Sequence, residues 1–417
     1  MVGGVPMARA ASGRPKRLIL IYAYGGWDVS YVFDPKTDVD TIEGPEVDVT
    51  GENVLDYETV GTYGGIPVAY NPLRRPWVWW FFRNWGHRMC VVNGLRVGSI
   101  GHALARQRLL TGASTSLPGP DLASIVGHVH GGDLPVGTID LYGTASPGHL
   151  AASMVRVGQR SQLEALLSLS SPMPGPDLYG SAPYPRFAPD ADDLGALEAW
   201  QTRRLDRLRS RRGGGGDRSD ARLDDLANSI TRARRLRDRS ETLTDVLSLF
   251  AEPSFELQCS LAVDLLANDL CQSVFVDTTE DWDTHSDTTT QNALFNDLFH
   301  GLDVLAGKLE NAGLWDDTLV VVCSEMTRTP RRNAQLGKDH WPHTSALMFG
   351  GGTTGGVVLG GTDGELQSKP MDLATGALDP AGEILSYTSF AAGILERLDV
   401  DPTDWLPEAT PFRGGVL

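Results

Sequence analysis

The stretch Leu319-Val320-Val321-Val322-Cys323-Ser324-Glu325-Met326-Thr327-Arg328-Thr329-Pro330 decides how the rest of the chain is read. Five apolar residues in a row, three of them β-branched, suit a strand buried on both faces of a parallel sheet. The run then stops at Ser-Glu, and an arginine follows. Burying an unpaired charge in a packed core is costly, so a core has no use for such groups at a strand end. Open α/β sheets, in contrast, bind their ligands just beyond the carboxyl ends of the strands.

Working outward, the same pattern recurs. Leu18-Ile19-Leu20-Ile21-Tyr22-Ala23-Tyr24 runs into Gly25-Gly26-Trp27-Asp28. Met89-Cys90-Val91-Val92-Asn93 precedes Gly98-Ser99-Ile100-Gly101-His102, which opens a helix through about Leu110 that ends at Thr111-Gly112. Ser273-Val274-Phe275-Val276 leads to Trp282-Asp283-Thr284-His285. Gly337-Lys338-Asp339-His340 precedes another apolar strand, Ser345 to Phe349. Asp28, His102, Asp283 and Glu325 are therefore expected along one edge of a single sheet.

Helical patterns fill the intervals: Trp77 to Trp85, Phe255 to Cys271, Asn292 to Gly313 and Ser386 to Leu398. Val29 to Asn71 reads as a long loop with one hairpin. Glycines at 350–352 and 360–361 read as tight turns, because no Gly-Lys-Ser/Thr follows to make a phosphate loop. Strands alternating with helices predict an α/β fold: a largely parallel sheet covered by helices on both faces.

The middle of the chain differs. Residues 1–16 read as a flexible lead-in, and 17–171 with 251–417 as the α/β domain. Residues 172–250 read as a Pro/Gly linker followed by an arginine-rich helical insertion. Its helices, Asp192 to Arg212 and Asp217 to Phe250, flank Gly213-Gly214-Gly215-Gly216. Leucines recur there at three- and four-residue spacing, and acids are interleaved with the arginines. This suits a hairpin with a solvated, salt-bridged outer face, or an arm that docks a partner protein or a second copy of the chain.

Composition excludes several classes. At 417 residues with 41% apolar content the chain has ample core. A net charge of −17 argues against a general nucleic-acid or anionic-membrane binder. No stretch approaches the ~20 apolar residues of a membrane span. The four cysteines, Cys90, Cys259, Cys271 and Cys323, lack zinc-knuckle or disulfide-framework spacing. No signal-peptide core precedes Leu18, and Arg14-Pro15-Lys16-Arg17 is not a twin-arginine motif. A soluble, reducing, cytoplasmic setting is the expectation.

The strand-end groups suit divalent-metal chemistry. Asp28, Asp283, His285, Glu325, Asp339, His340 and His343 offer carboxylate and imidazole ligands for zinc, manganese, magnesium or calcium. Such an ion polarises a phosphoryl or sulfuryl oxygen and lowers the pKa of bound water. Arg328 could clamp an anionic oxygen pair, or pair with Glu325 or Asp283. Asp28 could equally be a turn or helix cap, and Asp339 to His343 a structured loop under an aromatic lid.

Taken together, Gly25-Gly26-Trp27-Asp28, His102 with Thr111-Gly112, Trp282-Asp283-Thr284-His285, Ser324-Glu325-Met326-Thr327-Arg328-Thr329-Pro330 and Gly337-Lys338-Asp339-His340 resemble the bacterial domain-of-unknown-function family 1501. The resemblance runs over about residues 17–135 and 250–400. That family is similar to the sulfatase-like branch of the alkaline phosphatase superfamily. This implies an alkaline-phosphatase-like, doubly wound, mostly parallel sheet with metal ligands at the carboxyl ends of its strands, and an anionic ester as substrate.

The chain departs from the superfamily pattern at informative places. Ser324-Glu325-Met326 stands where Ser-Asp-His is usual, and a thioether is a poor ligand for a hard ion. Gly101-His102 stands where Ser-His is usual, leaving Ser99 as the nearest hydroxyl. Thr327 and Trp341 each replace a usual glycine. The expected site has Asp28, Asp283, His285, Glu325 and His340 on the metal, with Ser99, His102 and Arg328 as catalytic groups. The expected function is a metal-dependent hydrolase of a phosphate or sulfate ester. The alternatives are a catalytically silent relative that assembles through its helical insertion, and a carbohydrate- or lipid-modifying transferase on the same fold.

Overall fold

The computed structural model describes residues 16–45, 47, 53–114, 119–157, 190–210, 217–239, 242 and 253–416. The lead-in, the Pro/Gly linker at 172–189, the four glycines at 213–216 and most of 240–252 lie outside them.

Among the described residues, eight strands form the central sheet: β1 (Arg17–Ala23), β4 (Met89–Arg96), β5 (Thr138–Asp140), β6 (Met154–Arg156), β7 (Ser273–Asp277), β8 (Thr318–Ser324), β11 (His343–Gly350) and β12 (Val357–Gly360). Their order across the sheet is β12-β4-β11-β8-β1-β7-β5-β6. A hairpin, β2 (Thr59–Tyr63) and β3 (Ile66–Tyr70), interrupts the long loop, as the sequence predicts. A small ladder pairs β9 (Thr327–Arg328) with β10 (His340–Trp341).

Side chains alternate across β1. Ile19, Ile21 and Ala23 face one apolar layer with helices α1 (Pro76–Trp85), α6 (Phe255–Ala267) and α7 (Thr290–Asn311). Leu18, Leu20 and Tyr22 face the other, with α2 (His102–Thr111), α3 (Leu122–His130) and α8 (Tyr387–Arg397). Burial on both faces is why these strands read as unbroken apolar runs rather than alternating ones. Gly112 ends α2 at φ +68°, the left-handed cap expected of it.

Strands β1, β7 and β8 are parallel and end nearly level, Tyr22 pairing with Asp277 and Ala23 with Ser324. Their following loops therefore emerge together at one edge. β11 runs antiparallel to both β8 and β4. The chain has just visited that edge at His340, so the next strand must run back from it. It turns through Gly350, Gly351 and Gly352, all at positive φ, at the opposite edge.

The helices of the arginine-rich segment are α4 (Ala191–Ser210) and α5 (Asp217–Asp238). They lie antiparallel, since the end of α4 meets the start of α5 through Arg209–Asp224 and Glu198 meets Arg237 at the other end. On the α/β body, Arg232 donates to the Ala152 carbonyl at 3.1 Å and Arg235 to that of Gly132. Leu197, Trp200 and Leu226 on these helices remain exposed.

Candidate metal centre at the strand ends

Glycine sets the local geometry. The turn after β1 holds Gly25 at φ +114° and Gly26 at φ +91°, a region that suits residues without a Cβ. A Cβ on Gly25 would lie 2.5 Å from the Asp283 nitrogen and from Asp281 Oδ1. The β1 and β7 loops can therefore cross in contact only because that atom is missing. The Gly25 N–H donates to Glu325 Oε1 at 2.9 Å, which joins the β8 loop to the same crossing.

Three imidazoles converge on Asp283. His285 Nε2 lies 3.0 Å from Asp283 Oδ1 and His340 Nε2 lies 3.2 Å from it; His102 Nε2 lies 3.4 Å from Oδ2. His285 Nε2 and His340 Nε2 approach to 2.8 Å. The ligand atoms of His102, Asp283 and His340 all fall within 4.8 Å of one another.

Each ring is held from its far nitrogen. His102 Nδ1 meets Glu325 Oε1 at 2.8 Å, His285 Nδ1 meets Asp339 Oδ1 at 2.9 Å, and His340 Nδ1 meets the Ile100 carbonyl at 2.7 Å. Every one of these partners accepts, so in the neutral rings Nδ1 carries the proton and Nε2 is left for other partners; His285 Nε2 adjoins both Asp283 and His340. His102 Nε2 is buried and has no hydrogen-bond partner. An orphaned nitrogen of that kind needs an occupant or a function.

The hydrogen bond to Glu325 raises the His102 pKa against the opposing effect of burial. Burial also pushes the Asp283 carboxyl upward, but the bound Arg328 guanidinium, with His340 and His285, more than offsets this and leaves its pKa lowered. Asp339 is lowered by its hydrogen bonds to His285 and Asn333. Both acids are anionic at neutral pH.

The residues expected at the site fall into separate roles. His102, Asp283, His285, Glu325 and His340 come together. Asp28 is fully buried elsewhere: Oδ1 caps the turn at Val29–Tyr31 by accepting from Ser30 N and Oγ, and Oδ2 accepts from Lys338 Nζ at 2.7 Å. Arg328 is fully buried as well. It donates to the carbonyls of Gly25, Gly26, Trp282 and Lys338 and to Asp283 Oδ1, tying the strand-end loops together. Ser99 Oγ is engaged with the backbone of Gly101. His343 sits farther along β11, with Nδ1 2.5 Å from Ser368 Oγ.

Sequence reasoning missed Lys338 as the counter-ion of Asp28 and the Ile100 carbonyl as the orienting group of His340. A lysine beside Asp339-His340 is visible in the sequence, but its partner lies 310 positions away.

With that geometry in view, the family model for a protein of unknown function, DUF1501, matches residues 15–406. The chain belongs to this family. The match spans the arginine-rich segment as well as the two blocks on either side. Among solved structures, the DUF1501 chain is similar to a protein in the alkaline phosphatase superfamily from Vibrio parahaemolyticus, at 10% identity over 93% of this chain and 67% of that one, TM-score 0.39. It is also similar to a putative sulfatase from Bacteroides thetaiotaomicron, at 9% identity over 94% and 75%, TM-score 0.37. Alkaline phosphatase from the Antarctic bacterium TAB5 matches at 12% identity over 81% and 92%, TM-score 0.34. No curated protein matches the chain in sequence. Among the described residues, no helix is long and apolar enough to cross a membrane.

Proposed function

We propose that this DUF1501 protein is a metal-dependent hydrolase of a phosphate or sulfate ester. One observation carries the reading: three imidazoles, each held at Nδ1 by an acceptor, bring Nε2 to within 3.4 Å of an anionic Asp283. Imidazole ligands are commonly fixed in this way by a carboxylate or carbonyl on the other nitrogen. His102, His285, His340 and Asp283 would hold the ion. Three nitrogens and one oxygen suit zinc better than magnesium or calcium.

The sequence pattern puts Glu325 on the metal and His102 among the catalytic groups; the proposal exchanges them. Glu325 orients His102, and Asp28 and Arg328 brace the loops. A bound divalent ion would supply Lewis acidity and an acidified water. The residues of the chain contribute orientation and charge. Helix α2 starts at His102 with no side-chain cap on its first N–H groups, so its positive end favours an anionic ester beside the cluster. The expected result is turnover of 4-nitrophenyl phosphate or 4-nitrophenyl sulfate by zinc-loaded protein, lost in Asp283→Ala and His340→Ala. Zinc-loaded protein that turns over no phosphate or sulfate ester would sink the hydrolase reading while leaving the metal site standing.

The exposed Leu197, Trp200 and Leu226 favour a second role, assembly through the helical hairpin. Deleting residues 192–250 and closing the gap with a short Gly-Ser linker is expected to leave the α/β core folded and to lower the assembly state. Unchanged mass by light scattering, with intact circular dichroism, would rule the docking role out.

A further inference from the structure

A cavity of about 680 Å³ opens beside the imidazole cluster, lined among others by Arg96, Ser99, Ile100, Pro342, His343 and Ser368. One wall residue touches that cluster, and two others adjoin its members along the chain. Ile100 gives its carbonyl to His340, Ser99 lies three positions before His102, and Pro342 lies between the His340 and His343 positions of one segment. Arg96 and His343 face each other as a direct pair between β4 and β11. Directly opposed residues project to the same face of a sheet.

The polarity of this cavity is one-sided. Ser99, Gln367 and Ser368 contribute hydroxyl and amide groups, and no carboxylate lines it among the described residues. That is notable in a chain of net charge −17. Asp363 is close enough to influence His343, but its Oδ1 is occupied by the N–H groups of Glu365 and Gln367. Burial, against a hydrogen bond to Gln367 and with the Arg96 charge adding to it, holds the His343 imidazole below its ordinary pKa, so it is neutral at pH 7. The positive charge in the cavity is therefore that of Arg96. Arg96 is an exposed residue and makes no ion pair with another side chain among the described residues. Most other arginines of the α/β body are engaged with carboxylates, carbonyls or rings.

We propose that this cavity seats the part of the substrate beyond the scissile ester, and that Arg96 binds a second anionic group there. The substrate class is then a small phosphorylated or sulfated molecule carrying a further carboxylate, phosphate or sulfate. The inference rests on the metal-centre reading, because the first anion is placed at His102, His285, His340 and Asp283. Among the described residues, Arg96 is the one unpaired cation on the wall. A planar guanidinium matches either a carboxylate or a phosphate through two parallel hydrogen bonds.

The test is calorimetry on the full chain loaded with zinc. The probes are glucose 6-phosphate, with one anionic group, and 6-phosphogluconate and fructose 1,6-bisphosphate, with two. Wild type is expected to bind one or both bis-anions about tenfold more tightly than glucose 6-phosphate, in line with one charge-assisted contact. The carboxylate and phosphate arms distinguish which second group is preferred. Arg96→Gln should erase the preference without weakening glucose 6-phosphate, and Arg96→Lys should restore part of it. Equal loss for all three probes in Arg96→Gln, or no preference in wild type with zinc bound, would overturn the proposal. Absence of zinc binding would overturn the metal reading instead. The Arg96 comparison is then read on the metal-free chain, where an Arg96-dependent preference supports the subsite and none removes it.

Discussion

Asp283→Ala and His340→Ala, singly and together, are expected to weaken divalent-metal binding by at least ~100-fold, the upper end of the loss seen when only a group orienting a ligand is removed. Isothermal titration calorimetry with zinc, on full-length protein cleared of metal by chelator and dialysis, measures it directly. Both residues contribute an atom to the convergence point, and Asp283 lies within 3.4 Å of all three Nε2 atoms. Glu325→Gln is expected to lose less, ~10-fold, because the glutamine carbonyl can still accept from His102 Nδ1 while its charge is gone. The graded series separates the ligands from the residue that aims one of them. Wild-type protein that takes up no divalent ion, together with variants that only lower the melting temperature, would make the cluster a structural hydrogen-bond network. Each group left unpaired in such a network costs roughly 1–3 kcal/mol.

The fold was legible where burial is two-sided and the strand long enough to show it. Strands β1, β4, β7 and β8 read directly as apolar runs, and the ionisable residues just past them mark the shared edge. β11 reads equally well as a strand, but an apolar run looks the same in either direction, so its reversal had to come from the structure. Three-residue strands such as β5 and β6 carry no readable period, and the sequence pattern passes over them. Helix α3 was passed over as well, although Asp121 caps it by accepting from Ser124 N.

Which strand-end residues come together was legible, and the division of labour proposed among them was not. Asp283, His285, Glu325 and His340 stand in recognisable motifs. Which of them would face the proposed metal depends on what holds the opposite nitrogen of each ring. Those partners come from distant segments: Asp339 lies 54 positions from His285, Ile100 lies 240 from His340, and Glu325 lies 223 from His102. Arg328 is legible as a cation at the site, yet its commitment to four carbonyls follows only from the way three loops cross.

Lys338→Met is expected to destabilise the fold by ~3–5 kcal/mol, the range for breaking a buried ion pair by removing one partner. Lys338 and Asp28 are both fully buried and 2.7 Å apart, so the substitution strands a carboxylate that water cannot reach. Urea unfolding followed by circular dichroism gives the value. The double variant Asp28→Asn with Lys338→Met should recover part of the loss, because no uncompensated charge remains. It should not recover all of it, since Asp28 also accepts from Ser30 and caps the turn that follows. The same variants decide whether Asp28 belongs to the metal. As a brace, Asp28→Asn lowers stability and leaves zinc affinity unchanged in the folded protein. Were Asp28 a ligand, Asp28→Asn would abolish zinc binding even where the fold is intact, and Lys338→Met would free the carboxylate for the ion. Three of this carboxylate's acceptor sites are taken by the Lys338 ammonium and by Ser30 N and Oγ, so the first pattern is the expected one.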